Sequence, residues 1–216
     1  MCRIGAIKSL DYVHPSIALK LMQSQQEGHD NSGFAMVMQN LGGIFEPYKH
    51  LPTLSMACTD DGIKIAENIL HEVGFRRIIQ WSPQVNDWPG LDISAMPHYV
   101  FETFNYPYAY ENLGKKKKQE LLLDTRLQLR KALEDNEEGF VYSFWPDVIT
   151  LKEIGDPHDI GTYFNLWEVD DRFTAKVITA QCRQNTNYDI VRYAAHPFHL
   201  QGYTILANGE NTFYLK

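Results

Sequence analysis

The chain has 216 residues and a formal net charge of −7. That balance argues against nucleic acid as a partner, because phosphate binding needs a basic face. With 44% hydrophobic residues the composition can fill a core, and no apolar run reaches the length of a membrane span. The N-terminus lacks the basic-then-apolar order of a secretory signal. Three cysteines, Cys2, Cys58 and Cys182, form no disulfide framework, so the expectation is a cytoplasmic protein in which a free thiol survives.

Residues 3–7 (RIGAI) predict a short strand directly after Met1-Cys2. Residues 15–26 predict a helix, with Pro15 at a first helical position and Ile17, Ala18, Leu21 and Met22 as its apolar stripe. Residues 27–33 (EGHDNSG) are loop chemistry. Residues 34–39 and 44–48 predict a hairpin around the Asn40-Leu41-Gly42-Gly43 turn. Residues 60–73 predict a helix closed by Gly74. Residues 80–112, rich in Pro, Trp and Tyr, show no period and predict an ordered, irregular stretch. Residues 115–136 predict the longest helix, with Lys115–Lys118 as a solvated first turn.

Residues 140–154 predict two strands around Pro146-Asp147, and residues 157–166 a short helix. Residues 173–181 and 203–207 predict further strands. Short strands in hairpins and helices in separate blocks make an α+β pattern rather than a βαβ alternation, and no linker divides the chain, so a single domain is expected.

Three elements could carry chemistry. Removing Met1 would leave Cys2 with a free α-amine beside its thiol. An α-amine with a pKa near ~8 can take the thiol proton, which puts nucleophile and base in one residue. Asn208-Gly209, at the end of a strand, is first a turn signal. It could also donate a side-chain amide and a backbone N–H to an oxyanion, with Gly209 allowing close approach. Arg183, at the end of an apolar strand, could fork onto a carboxylate such as that of glutamine. His196 and His199 (HPFH) come closest to ligand spacing, but Pro197 disfavours a helix there and no metal is expected.

In this order the motifs resemble the class II (N-terminal-nucleophile) glutamine amidotransferases, and most closely the amidotransferase domain or subunit of glutamate synthase. MCRIGAI is similar to the family's Met-Cys-Gly-Ile-x-Gly opening, and GHDNSG to its Arg-Gly-x-Asp-Ser-x-Gly loop. CRQNTN resembles the synthase arginine motif. HPFHLQGYTILANGENT resembles the family's Gln-Pro-Phe segment ending in Asn-Gly-Glu. VYSFWPDVITLK (residues 141–152) is similar to the strand pair before the arginine motif. The resemblance implies a four-layer αββα sandwich, with Cys2 as nucleophile, Asn208 and Gly209 as oxyanion hole, and Arg183 with Thr186 binding substrate. Glutamine would be the substrate, a synthase subunit or domain the partner that uses the ammonia, and no cofactor is implied.

Arg3 stands where the family has glycine, Glu27 where its loop has arginine, and Ala207 where it has histidine. The family's later aspartate, which grips the substrate's α-amine, has no counterpart before Lys216. The expectation is therefore a domain completed from beyond Lys216 or from another chain. Residues 80–136 match nothing in the family and are expected to be an insertion. Two other readings stay open: an N-terminal-cysteine hydrolase of another amide, and a weakened or inactive regulatory or assembly subunit of the same fold.

Overall fold

The computed structural model describes residues 2–25, 30–184 and 192–209. They form a mixed α+β structure built on two four-stranded antiparallel sheets. The first sheet has the order β1-β8-β2-β7, from β1 (Arg3–Val13), β8 (Ala175–Cys182), β2 (Phe34–Leu41) and β7 (Val148–Glu153). The second has the order β4-β5-β3-β6, from β4 (Arg76–Trp81), β5 (His98–Asn105), β3 (Pro52–Cys58) and β6 (Gly139–Pro146). A separate two-stranded hairpin joins β9 (Phe198–Leu200) to β10 (Tyr203–Ile205).

The alternation along β2 places Phe34, Met36 and Met38 on one face, in register with Cys182, Ala180 and Ile178 of β8. That face shares a core with α1 (Ser16–Gln23) and α4 (Pro157–Tyr163), through Leu19, Met22 and Ile160. Ala57, Tyr99, Phe101 and Tyr142 of the second sheet complete the same core. A second core joins Leu54, Met56, Val100 and Val141 to α2 (Asp60–Val73) and α3 (Lys115–Asp135).

Local chemistry accounts for the helix bounds. The Thr59 hydroxyl accepts from the Gly62 N–H at 3.0 Å and starts α2. Gly74, at φ +98°, ends it in the left-handed conformation that glycine adopts without strain. Along α3, Leu122, Thr125, Arg126, Leu129 and Leu133 repeat at helical spacing and are buried, while Lys115, Lys116 and Lys117 stay exposed. None of the described helices is long and apolar enough to cross a membrane.

The sequence expectations differ from the structure at several points, and β3, β9 and most of β4 were not anticipated at all. Residues 3–7 are only the start of an 11-residue strand, which pairs with β8 through Lys8 and again at Val13. Residues 44–48 are no strand but part of a 3₁₀ turn, Gly43–Tyr48, with Pro47 inside it. Gly43 there sits at φ +58° against the carbonyl of Arg172, so β2 has no local hairpin partner and pairs with β7 and β8 instead. Residues 80–112 are not irregular throughout: β5 (His98–Asn105) runs between β3 and β4 in the second sheet, with irregular backbone over 82–97 and a 3₁₀ turn at Tyr108–Tyr110 after it. Finally, β6 and β7 are joined by the predicted turn at Asp147 (φ +58°), but they belong to different sheets, and the turn links the two.

Candidate active site

The register of the first sheet gathers three remote segments. Arg3 at the start of β1 and Phe34 at the start of β2 both pair with Cys182 at the end of β8. Cys2, Gly33 and Arg183 therefore leave three neighbouring strands at one end of the sheet. The Arg183 N–H donates to the Gly33 carbonyl at 2.7 Å, and the Gln184 N–H donates to Cys2 Sγ at 3.5 Å. Gly33 adopts φ +149°, and a Cβ there would lie 3.2 Å from that of Ala195, so the loop passes tightly between Arg183 and the 192–195 turn. Ser32 is fully buried and its N–H donates to the Asp30 carboxylate at 3.1 Å, which shapes the DNSG loop.

Asn208 reaches the same place from the C-terminal part of the chain. Its Nδ2 donates to the Cys2 carbonyl at 3.0 Å. Gly209 follows it, exposed, and a Cβ there would meet no atom within 4 Å. Nothing in the described protein crowds Gly209; close approach at that position would be a demand of the substrate alone. Thr186 and Glu27 lie outside the described residues. Of the five residues predicted for the site, Cys2, the Arg183 backbone and Asn208 come together, and Gly209 is placed there only by following Asn208.

The three thiols differ in setting. Cys2 is partly exposed, whereas Cys58 and Cys182 are buried. Burial pushes both buried thiols up to about 12, with Glu102 adding to the rise at Cys58 and Asp156 at Cys182. They are protonated and inert at neutral pH, which leaves Cys2 as the reactive candidate.

Sequence reasoning missed the buried polar residues that hold this end together. Glu153 and Arg192 are 1% and 7% exposed and pair at 2.9 Å. Burial raises the Glu153 carboxyl pKa, and the Arg192 charge opposes that rise. Lys152, fully buried, donates to the carbonyls of Ala195 at 2.6 Å and Tyr193 at 3.2 Å, and its Nζ lies 3.6 Å from the Phe198 ring centroid. Burial, reinforced by Arg126, holds the Lys152 amine well below its ordinary range. Charged residues inside strands read as surface in a sequence; only the two faces of β7 being covered buries them.

The HPFH histidines separate. His199 is buried, its Nδ1 bonds the Thr204 hydroxyl at 2.9 Å, and burial with the Arg126 charge lowers it to about 4. His196 stacks edge-on to Phe198 at 4.6 Å, and burial together with Lys152 and Arg183 lowers it to about 4. Both are neutral at pH 7. Because their folded values lie below the unfolded ~6.5, the unfolded chain binds more protons between these values. Stability is therefore full above about pH 6.5 and falls as the pH drops toward 4. Thermal unfolding across that range should show the fall, and His199→Gln should make it shallower.

A cavity of about 670 Å³ lies elsewhere. It is lined by His14, Trp81, Asp170 and Phe173 among others, beyond the far ends of β1 and β8, and contains none of the predicted residues.

No family model matches the chain. Over 175 residues it is 32% identical to an uncharacterized protein of Archaeoglobus fulgidus. The match takes in 80% of this chain and 44% of that protein, so the chain spans under half the length of the relative.

Proposed function

We propose that this chain is a glutamine amidotransferase domain of the N-terminal-nucleophile type, releasing ammonia from glutamine for a glutamate-synthase-like partner. One observation carries the reading: a partly exposed cysteine at position 2 has the backbone of Arg183-Gln184 at its thiol and the Asn208 amide on its own carbonyl. These residues are separated by 182 and 206 positions, and each belongs to a motif similar to the family's. The matching fold, a four-layer αββα sandwich, is part of the same proposal. Its support is the pair of antiparallel sheets with α2 and α3 packed on the second.

The reaction follows from these groups. With Met1 removed, the Cys2 α-amine takes the thiol proton and the thiolate attacks the side-chain amide carbon of glutamine. The oxyanion is held by Asn208 Nδ2 and the Gly209 N–H. Ammonia leaves with a proton from the α-ammonium, and water then cleaves the γ-glutamyl thioester to glutamate. Arg183 receives the substrate α-carboxylate, with Thr186 beside it. His196, neutral and near Arg183, adds no competing positive charge to that subsite.

The test is hydrolysis of glutamine by the purified protein, with asparagine and simple amides alongside and the intact mass measured to establish Met1 removal. Glutamate and ammonia in equal amounts from glutamine alone support the reading. Preference for another amide replaces glutamine as substrate. No turnover by protein that begins at Cys2 rejects the reading for the isolated chain.

A further inference from the structure

We infer that Gln181 is a positioning residue for the proposed reaction, holding the Asn208 segment over Cys2 through the Ala207 carbonyl. The inference rests on the glutaminase reading above. Its physical basis is how residues 192–209 are attached. Among the described residues their two strands, β9 and β10, pair only with each other, and no ladder there ties this stretch to either large sheet. Buried side chains do so instead. Arg192 pairs with Glu153, Lys152 donates to the Ala195 carbonyl, and Arg126 of α3 donates to the His199 carbonyl at 3.1 Å. Thr204 links His199 to Gln39 of β2 at 3.1 Å. After Thr204, among the described residues, one side-chain bond precedes Asn208 itself: Gln181 Nε2 donates to the Ala207 carbonyl at 2.8 Å.

Gln181 is suited to that task. It is 1% exposed, and β8 holds it between Ile4 of β1 and Ala35 of β2. Its amide orientation follows from the bond, because a carbonyl oxygen turned toward the Ala207 oxygen would repel it. The residue sits one position before the Cys182 that pairs with Arg3, so the strand that places Gln184 at the thiol also places the anchor of Asn208. Gln181 makes no bond to the Cys2 thiol and acts only through Asn208. Displacement of an oxyanion donor by about 1 Å can cost on the order of a hundredfold in rate.

The experiment compares Gln181→Met and Gln181→Glu with the unaltered protein by steady-state kinetics across pH and by hydrogen–deuterium exchange. Gln181→Met loses the donor and should lower kcat by about ten- to a hundredfold with KM within about twofold, at every pH. Gln181→Glu donates only when its carboxyl is protonated, so its activity relative to the unaltered protein should fall as the pH rises. Because an ionised carboxylate at this buried site would also destabilise the fold, unfolding midpoints are measured across the same pH range: a fall in kcat at pH values where the midpoint is unchanged marks positioning, and a fall that only tracks the midpoint overturns it. Amides of residues 203–209 should exchange faster in Gln181→Met. An unchanged kcat, or a loss confined to KM, overturns the inference. If the unaltered protein shows no glutaminase activity the reading itself fails, while exchange still decides the anchor: faster exchange over 203–209 supports it, and unchanged exchange overturns it.

Discussion

Cys2→Ala is expected to reduce glutamine hydrolysis by at least about a thousandfold, the scale at which loss of a covalent nucleophile normally acts. No other thiol can replace it. Cys58 and Cys182 are buried, and their thiols are pushed up to about 12, so neither supplies thiolate at working pH. Cys58→Ala should accordingly keep kcat within about twofold while lowering stability, since it removes a buried side chain of the α2–α3 core. Cys2→Ser tests the same point with a smaller change: the hydroxyl keeps the volume but is a far weaker nucleophile. Assay of released ammonia in parallel with a urea unfolding curve separates the two effects. Cys2→Ala should leave the unfolding midpoint nearly unchanged, because Cys2 is only partly buried and precedes the first residue of β1.

Arg192→Met is expected to destabilise the fold by about 3–5 kcal/mol, measured by urea unfolding at pH 7. The substitution leaves Glu153 buried without its cation, and an uncompensated charge in a desolvated site costs that much. Burial already raises the Glu153 carboxyl pKa, so the single variant should recover stability as the pH falls and the group takes up a proton. The sign is opposite to that for His196 and His199, whose protonation at low pH destabilises. Adding Glu153→Gln to Arg192→Met should restore part of the loss, since a neutral amide costs less to bury. A single-variant change below about 1 kcal/mol would show that the pair contributes little. Arg192 also begins the stretch that delivers Asn208, so glutaminase activity should fall with the same substitution.

Much of the fold was legible because local chemistry specifies it. The Gly74 stop ended α2 where the sequence placed it, and α3 begins at the expected Lys115 and ends at Asp135; the Thr59 cap of α2 came only with the structure. The strands that misled did so for tertiary reasons. Residues 44–48 have strand-like composition, but Arg172 from far along the chain occupies the backbone beside Gly43. β5 reads weakly because His98, Glu102 and Asn105 interrupt its apolar pattern. Glu102 is nevertheless buried, and the Arg77 guanidinium donates to its carboxylate at 2.9 Å. No sequence window contains that pairing.

The candidate site divides along the same line. Cys2, Arg183 and Asn208-Gly209 were named because their residue types and order match a family pattern. Their meeting depends on β1 and β2 flanking β8, a topology that motifs do not state. Gln181, Lys152, Glu153 and Arg192 gave no signal, because a polar residue in a strand looks solvent-facing until the segment that covers it is in place. The archaeal relative, being uncharacterized, contributes no function of its own.

Reaction of the mature protein with a glutamine-analogue thiol alkylator, followed by mass-spectrometric mapping of the label, tests the central claim most directly. One label per chain on Cys2, slowed by excess glutamine and absent from Cys2→Ala, is the result expected of a glutamine-specific nucleophile. Label on Cys58 or Cys182, or labelling of Cys2 that glutamine does not slow, would contradict it.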